Sequence, residues 1–388
     1  MDFELSKEHQ LLQRAVREFA EAEIVPLSAE IEEKKEIPRD LIEKMAEFGL
    51  FGVPFPQEYG GAGAGVMGYC LMMEEMGKVS ASVGALLGAH IGIGSMAIYL
   101  DGTEEQKGKY LLPLAKGEKI AAFALTEPGA GSDAASIQLS AVRDGDHFIL
   151  NGSKIWITNG PIADVISLFA VTDKALGARG GVTAFIVGKE FPGFSIGTID
   201  EKMGIQGSAT GELVFEDCRV PVDNVLGQFG AGFITAMKTL DIGRMGLGAA
   251  SLGGAEVALQ KSLEYAKYRE QFGGPIAHKQ AIQFMVADMA TEIEALRSLV
   301  YRTAWMADTG QEFRRLADMC KLFGSEVASR AADRAVQIHG GMGYMRDYFV
   351  ERMYRDARIG EIFEGTNEIQ RIVIATDLFR ELGVRIRP

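Results

Sequence analysis

A chain of 388 residues, 47% of them hydrophobic, holds material for about two to three ordinary domains with buried cores. Its 40 Lys+Arg against 53 Asp+Glu leave a formal charge of −13, which excludes a nucleic-acid partner held through phosphate neutralisation and disfavours anionic membrane surfaces. The three cysteines, Cys70, Cys218 and Cys320, are far apart; they suit neither a disulfide framework nor a thiolate metal site and imply a reducing, cytoplasmic setting.

The first residues are charged and helical in period, with Ser6 as N-cap, and lack the basic flank and apolar core of a signal peptide. Helical spacing persists to Lys119, with breaks at Pro26, Pro38, residues 54–61 and Pro113, and predicts an all-helical domain over 1–119. Within it, Val79 to Leu100 carries no Asp, Glu, Lys or Arg and is long enough to span a bilayer. Its glycines, serines and His90 make it too polar for a membrane helix, so it reads as a buried helix with Gly84, Gly88 and Gly92 on one face. From Ile120 short alternating or β-branched runs, among them HFIL and KIWIT, predict a β-barrel-like domain over 120–227. Asn151-Gly152 between those two runs predicts a hairpin turn. Helical period returns over 228–388, where Val286, Met289, Ile293, Leu296 and Val300 form the core stripe of a C-terminal helical bundle. Helix, strand, helix is an order that excludes doubly wound α/β folds and leaves an α+β multidomain chain.

Two glycine fingerprints match a dinucleotide loop and fail on context. Gly63 to Gly68 follows a proline-rich loop instead of a strand, and Gly129 to Ala134 leads into the alternating run SIQLSAV instead of a helix. The second loop, Thr126 to Asp133, still offers hydroxyls, backbone amides and little bulk beside a core strand, which suits a polar planar ligand. Composition alone places Trp156 in the β core, Arg269 on an exposed helix face, and Asp241 with Arg244 in a solvent ion pair. It makes Glu364 a solvated carboxylate before a Gly-Thr-Asn turn. The histidines show no ligand spacing, and no metal is expected.

Taken together and in order, AFALTEPGAGSD, NGSKIWITNG, LDIGR, YREQFG, QIHGGMGY and IFEGTNEIQR resemble the acyl-CoA dehydrogenase family over essentially the whole chain. The spelling is most similar to its short-chain and short branched-chain members. The resemblance implies a three-domain, FAD-binding homotetramer. It assigns the flavin cradle to Phe123, Leu125, Thr126, Gly131 and Ser132, with Trp156 and Thr158 on the other flank. It assigns Arg269, Phe272, Gln280, Gln337, Gly340 and Gly341 to FAD held by a neighbouring subunit, and puts Thr366 and Glu368 beside the cofactor. Ser132, Asp241, Arg244 and Gly365 would meet the acyl-CoA. Glu364 stands where the family keeps its catalytic base, with Phe363 where a tyrosine is common; the other base position, on the LDIGR helix, is Gly243 here and is closed.

The implied reaction is α,β-dehydrogenation of an acyl-CoA thioester to the trans-2-enoyl-CoA. Glu364 takes the α-proton, the β-hydrogen leaves as hydride to FAD, and electron-transfer flavoprotein collects the electrons. Burial against flavin and acyl chain should raise the pKa of Glu364 towards the working pH. The lack of an arginine near Gly84 disfavours a dicarboxylic substrate such as glutaryl-CoA. Same-fold flavin hydroxylases and nitroalkane oxidases lack this glutamate, and a non-catalytic flavoprotein scaffold would have no use for Thr126, Trp156, Arg269 and Glu364 together.

Overall fold

In the computed structural model, which describes residues 4–384 and residue 386, helices, strands and helices follow one another in that order. The Ser6 hydroxyl accepts a hydrogen bond from the His9 amide at 3.1 Å and starts α1 (Lys7–Phe19), satisfying one donor that a helix leaves free. Further on, α2 (Gly65–Val79) and α3 (Ala81–Asp101) are joined through Ser80, whose hydroxyl caps α3. α3 is long and apolar enough to cross a bilayer, and 72% of that window is buried inside the protein. His90 in its middle is wholly buried, accepting the Ala121 amide on Nδ1 at 2.9 Å and donating from Nε2 to the Leu114 carbonyl at 3.1 Å. The ring thereby ties the helical layer to β1 (Ala121–Ala124), and burial pushes its pKa down to about 4, which keeps it neutral.

β1 is joined in one mixed sheet by β2 (Ser140–Asp144), β3 (His147–Thr158), β4 (Val165–Val171), β5 (Val182–Gly188), β6 (Phe194–Ile199), β7 (Thr210–Pro221) and β8 (Val225–Leu226). The order is β6-β7-β3-β2-β4-β5-β8, with β1 parallel to β4. β6 and β8, at its two ends, share no ladder among the described residues, so the barrel-like layer is an open sheet. The expected hairpin at Asn151-Gly152 does not form. β3 runs through that pair, and the turn falls at Asp144-Gly145-Asp146-His147, where Gly145 supplies a φ of +62°. Asn151 instead reaches across to β7, accepting the Asp217 amide at 2.9 Å. Gly152 sits at a bulge where a Cβ would meet Leu139 Cα at 3.0 Å.

The C-terminal helices are α4 (Gly232–Tyr268), α5 (Gln280–Asp308), α6 (Arg314–His339), α7 (Phe349–Ala357) and α8 (Asn367–Glu381). Of the expected α5 stripe, Met289, Ile293, Leu296 and Val300 are buried and Val286 is half-buried. α2 and α4 cross at bare backbone: a Cβ on Gly77 would overlap the Ala250 backbone, and one on Gly253 that of Glu74. That close crossing sets one wall of the site below.

Candidate active site

A cleft of about 2150 Å³ opens where α2, α3 and α4 meet the sheet and the turn before α8, well beyond the roughly 300–1,000 Å³ of a single-ligand pocket. β1 delivers Phe123, Leu125 and Thr126 to one wall, continuing into the 126–133 loop, whose Gly129 and Gly131 face open space. β3 delivers another. A second bulge against β7, between Lys154 and Ile157, gives Trp156 a φ of +56° and turns it outwards, so that it is 64% exposed instead of a core aromatic. Phe123, Leu125, Thr126, Gly131, Ser132, Trp156 and Thr158 all line this one cleft. Behind the loop, wholly buried Lys154 donates to the Leu125 carbonyl at 2.9 Å and to Glu127 at 2.7 Å, while Glu127 accepts the Leu139 amide at 2.9 Å. Burial lowers the Lys154 pKa to about 8, against the pull of Glu127. This pair stiffens the loop from its core side.

The turn before α8 brings Glu364 and Gly365 to the cleft, both left-handed, with φ of +53° and +93°. Such a conformation strains a glutamate, and strain of this kind gathers at functional sites. Buried donors hold the turn. Arg244 Nε reaches the Glu364 carbonyl at 3.4 Å, Gln370 Nε2 reaches the carbonyls of Glu364 and Gly365 at 3.2 Å each, and Lys321 Nζ reaches that of Gly365 at 2.7 Å. Glu364 Oε2 is sealed from solvent with no hydrogen-bond partner, and the Glu364 amide has no acceptor among the described residues. Burial raises the carboxyl to about 7, against the pull of Arg244 and Lys321. Glu364 is thus no solvated carboxylate. Across from it, a Cβ on Gly243 would stand 3.1 Å from Glu364 Cδ and 2.7 Å from Ile93 Cγ2, so α4 presents bare backbone to the carboxyl group.

Asp241 and Arg244 also line the cleft and are buried, in contrast to a solvent pair. Arg244 Nη1 donates to Asp318 at 2.7 Å and to Asp241 at 3.4 Å. Burial raises Asp241 to about 7 and Asp318 to about 6, against the pull of Arg244 on both. On α3, Gly84 and Gly88 line the cleft, and a Cβ on Gly84 would meet only Met76 Cβ at 3.9 Å. Gly92 instead makes room for Tyr69, whose phenol occupies the space that side chains on Gly92 and Gly246 would need. The glycine face therefore serves two purposes, a cavity wall at one end and close packing at the other.

Not every expected site residue joins this cleft. Arg269, Phe272, Gln280, Gln337, Gly340, Gly341 and Glu368 are exposed and lie outside it, whereas Thr366 lines it and caps α8. Tyr265 stacks on His339 at 4.3 Å between ring centres, which brings the ends of α4 and α6, and so Arg269 and the Gln337–Gly341 turn, to one region of surface. Phe272 there is 95% exposed. Sequence reading missed Tyr69, Lys154, Asp318, Lys321 and Gln370. Gln370 was within the quoted motif IFEGTNEIQR, whereas Asp318 and Lys321 lie on α6 outside the quoted motifs.

Family models match the chain in three consecutive pieces: the acyl-CoA dehydrogenase N-terminal domain over residues 6–118, the middle domain over 122–218 and the C-terminal domain over 230–379. A short-chain specific acyl-CoA dehydrogenase of Clostridium acetobutylicum is 49% identical over 98% of this chain and 100% of the relative. An acryloyl-CoA reductase (NADH) of Anaerotignum propionicum is 47% identical over 98% and 96%. The CarC subunit of a caffeyl-CoA reductase-Etf complex of Acetobacterium woodii is 44% identical over 97% and 99%. Among solved structures, butyryl-CoA dehydrogenase of Megasphaera elsdenii superposes with a TM-score of 0.95 at 44% identity over 98% and 100% of the two chains. A chain in a structure describing the electron transferring flavoprotein of Acidaminococcus fermentans gives 0.96 at 49% identity over the same shares. An acyl-CoA dehydrogenase of Bacillus anthracis complexed with FAD gives 0.92 at 40% identity over 98% of this chain and 68% of the other.

Proposed function

This chain belongs to the acyl-CoA dehydrogenase family, oxidoreductases that act on CH–CH bonds with FAD as cofactor, and from that premise we propose that it removes the α- and β-hydrogens of a short acyl-CoA thioester with Glu364 as base. The observation that carries this reading is the Glu364 carboxyl group, held in a strained turn on the cleft with one oxygen that nothing in the protein engages. A base needs an uncommitted lone pair and a pKa near the working pH, and burial supplies the second, at about 7.

The residues present fit FAD. The outward-turned Trp156 offers a flat face, Thr126 and Thr158 offer hydroxyls, Gly129 and Gly131 leave room, and the cleft exceeds the needs of one ligand. Phe123, Leu125, Thr126, Gly131, Ser132, Trp156, Thr158 and Thr366 would hold the flavin end. When bound, FAD supplies the acceptor for the β-hydrogen, which leaves as hydride. Glu364 takes the α-proton, which is far too weakly acidic for a carboxylate unless the thioester oxygen is polarised. The Glu364 amide, which has no acceptor of its own, is the donor in this chain suited to that oxygen. Arg244, held between Asp241 and Asp318, orders the wall along which the pantetheine arm would run, with Ser132 and Gly365 in contact with the substrate.

Arg269, Gln280, Gln337, Gly340 and Gly341 offer a cation, amides and uncovered glycine backbone on the surface, as a diphosphate requires. Their distance from this cleft supports the reading that they serve FAD in a neighbouring copy within a cytoplasmic homotetramer, with Phe272 and Glu368 at the same boundary. Electron-transfer flavoprotein is the proposed redox partner, supported by the relative named for an Etf complex. A second reading, reduction of a 2-enoyl-CoA by the same residues run in reverse, draws on the acryloyl-CoA reductase relative. Anaerobic butyryl-CoA should bleach the yellow protein, and Glu364→Gln should keep FAD and still bind acyl-CoA while bleaching about 10²- to 10⁴-fold more slowly. Bleaching by that variant within about threefold of the parent rate would remove Glu364 as the base.

A further inference from the structure

Lys321 on α6 is 1% exposed, yet no carboxylate lies within salt-bridge distance of it among the described residues. Its ammonium donates to the Gly365 carbonyl at 2.7 Å and to Asn367 Oδ1 at 2.8 Å, and Asn367 Nδ2 in turn donates to the Ser325 hydroxyl at 3.0 Å. A buried cation without a paired carboxylate is costly, so a fold that keeps one needs a reason beyond packing. The buried acid nearest in the chain's own geometry is Glu364, which precedes the carbonyl that Lys321 grips and whose Oε2 also lacks a partner. We propose that Lys321 is a positioning residue for the base: by clamping the Gly365 carbonyl to Asn367 at the head of α8, it sets where the Glu364 carboxylate stands and places an ammonium beside it.

The geometry supports a clamp and not a lone contact. Gln370, wholly buried, holds both carbonyls of the same turn, and Arg244 holds the first, so the two left-handed residues are pinned from α4, α6 and α8 together. Of these donors Lys321 is the one carried by α6 itself, whereas Arg244 on α4 reaches α6 through Asp318. The groups that bear on Glu364 are Arg244 from α4, Lys321 from α6 and the Tyr69 phenol from α2; Asp241 and Asp318 engage Arg244, and Glu361 and Glu368 act on Lys321. Of these, Arg244 and Lys321 favour the ionised base. Arg244 divides its charge between two carboxyls, whereas Lys321 has no carboxylate within salt-bridge distance among the described residues and Glu364 is the acid that acts on it most strongly.

This inference rests on Glu364 being the base, and its test separates the two. In FAD-loaded protein, the infrared band of the protonated Glu364 carboxyl, identified as the one absent from Glu364→Gln, is titrated in the parent, in Lys321→Met, which removes charge and donor, and in Lys321→Gln, which removes charge alone. The midpoint should move up by about one unit or more in both variants, since an opposite charge nearby lowers a carboxyl's pKa by that order. Anaerobic bleaching by butyryl-CoA at a pH above every midpoint should fall by about tenfold or more in Lys321→Met with FAD content unchanged, because sub-ångström displacement of a base is costly. An unmoved midpoint together with an unchanged plateau rate in folded Lys321→Met overturns the proposal. If neither variant folds, Lys321 is a structural cation and the proposal is equally overturned. Parent protein that holds FAD but is not bleached by butyryl-CoA would count against the functional reading, while the infrared titration still decides Lys321.

Discussion

Moving the base from the turn to α4 tests the geometry of the cleft most directly. In Glu364→Gly the turn loses its carboxylate and gains a residue at ease with φ of +53°, so the variant should fold at least as well as the parent. Adding Gly243→Glu then builds a carboxylate from the opposite wall. A Cβ at position 243 lies 3.1 Å from the present Glu364 Cδ. A glutamate's own Cδ lies about 2.5 Å from its Cβ, two C–C bonds of about 1.5 Å at a tetrahedral angle, so the new carboxyl carbon can come within about 0.6 Å of the old position. The other close neighbour of that Cβ, Ile93 Cγ2 at 2.7 Å, must give way, which adds a further shift. A total error near 1 Å costs on the order of 10²-fold in rate. Loss of the base in the single variant, which leaves no acceptor at all, costs about 10⁴-fold, the upper end of the range for a general base. The double variant should therefore bleach with short acyl-CoA esters measurably faster than Glu364→Gly and about 10²-fold slower than the parent. Anaerobic stopped-flow reduction across a panel of esters, with FAD content and thermal stability measured alongside, reads the result. A double variant that is folded and flavin-replete yet as inert as Glu364→Gly would show that Gly243 does not face the substrate's α-carbon.

Further outcomes follow from the same cleft. Because burial raises Glu364 from the ordinary 4.5 to about 7, the bleaching rate should climb as pH rises through about 7, and a flat profile from pH 6 to 8 would contradict the assignment. The same shift affects stability with the opposite sign. Between the ordinary carboxylate range and about 7 the native state holds a proton that the unfolded chain releases, so stability falls as pH rises across that window. Glu364→Gln should thus gain more in Tm over the parent at pH 8 than at pH 5, and an equal gain at both would refute the linkage. Glutaryl-CoA should fail to bleach the parent, since Gly84 puts no cation at that part of the wall. Gly84→Arg, whose Cβ would meet only Met76 Cβ at 3.9 Å, should improve dicarboxylate binding at a cost in butyryl-CoA. Glutaryl-CoA acting as well as butyryl-CoA in the parent would overturn the pocket argument.

The sequence by itself determined the order of layers, because hydrophobic period is a local property: Ser6 and the α5 stripe Met289, Ile293, Leu296 and Val300 stand where spacing and capping rules put them. It also marked part of the cleft's lining, since motif residues such as Thr126, Trp156, Arg244 and Glu364 are contiguous with their signals. The hairpin was misplaced because Asn-Gly serves a bulge as readily as a turn, and only pairing with β7 decides between them. Trp156 could not be assigned outward from composition, because its direction comes from a bulge that exists only when β3 lies against β7. Arg244, Lys321 and Gln370 converge on two carbonyls from helices separated by as many as 126 positions along the chain, from Arg244 to Gln370. Tertiary structure alone decided that the carboxyl of Glu364 is desolvated and unengaged, because a pKa answers to what surrounds a group in space, and those surroundings are assembled from α2, α4 and α6 only once the helices have packed.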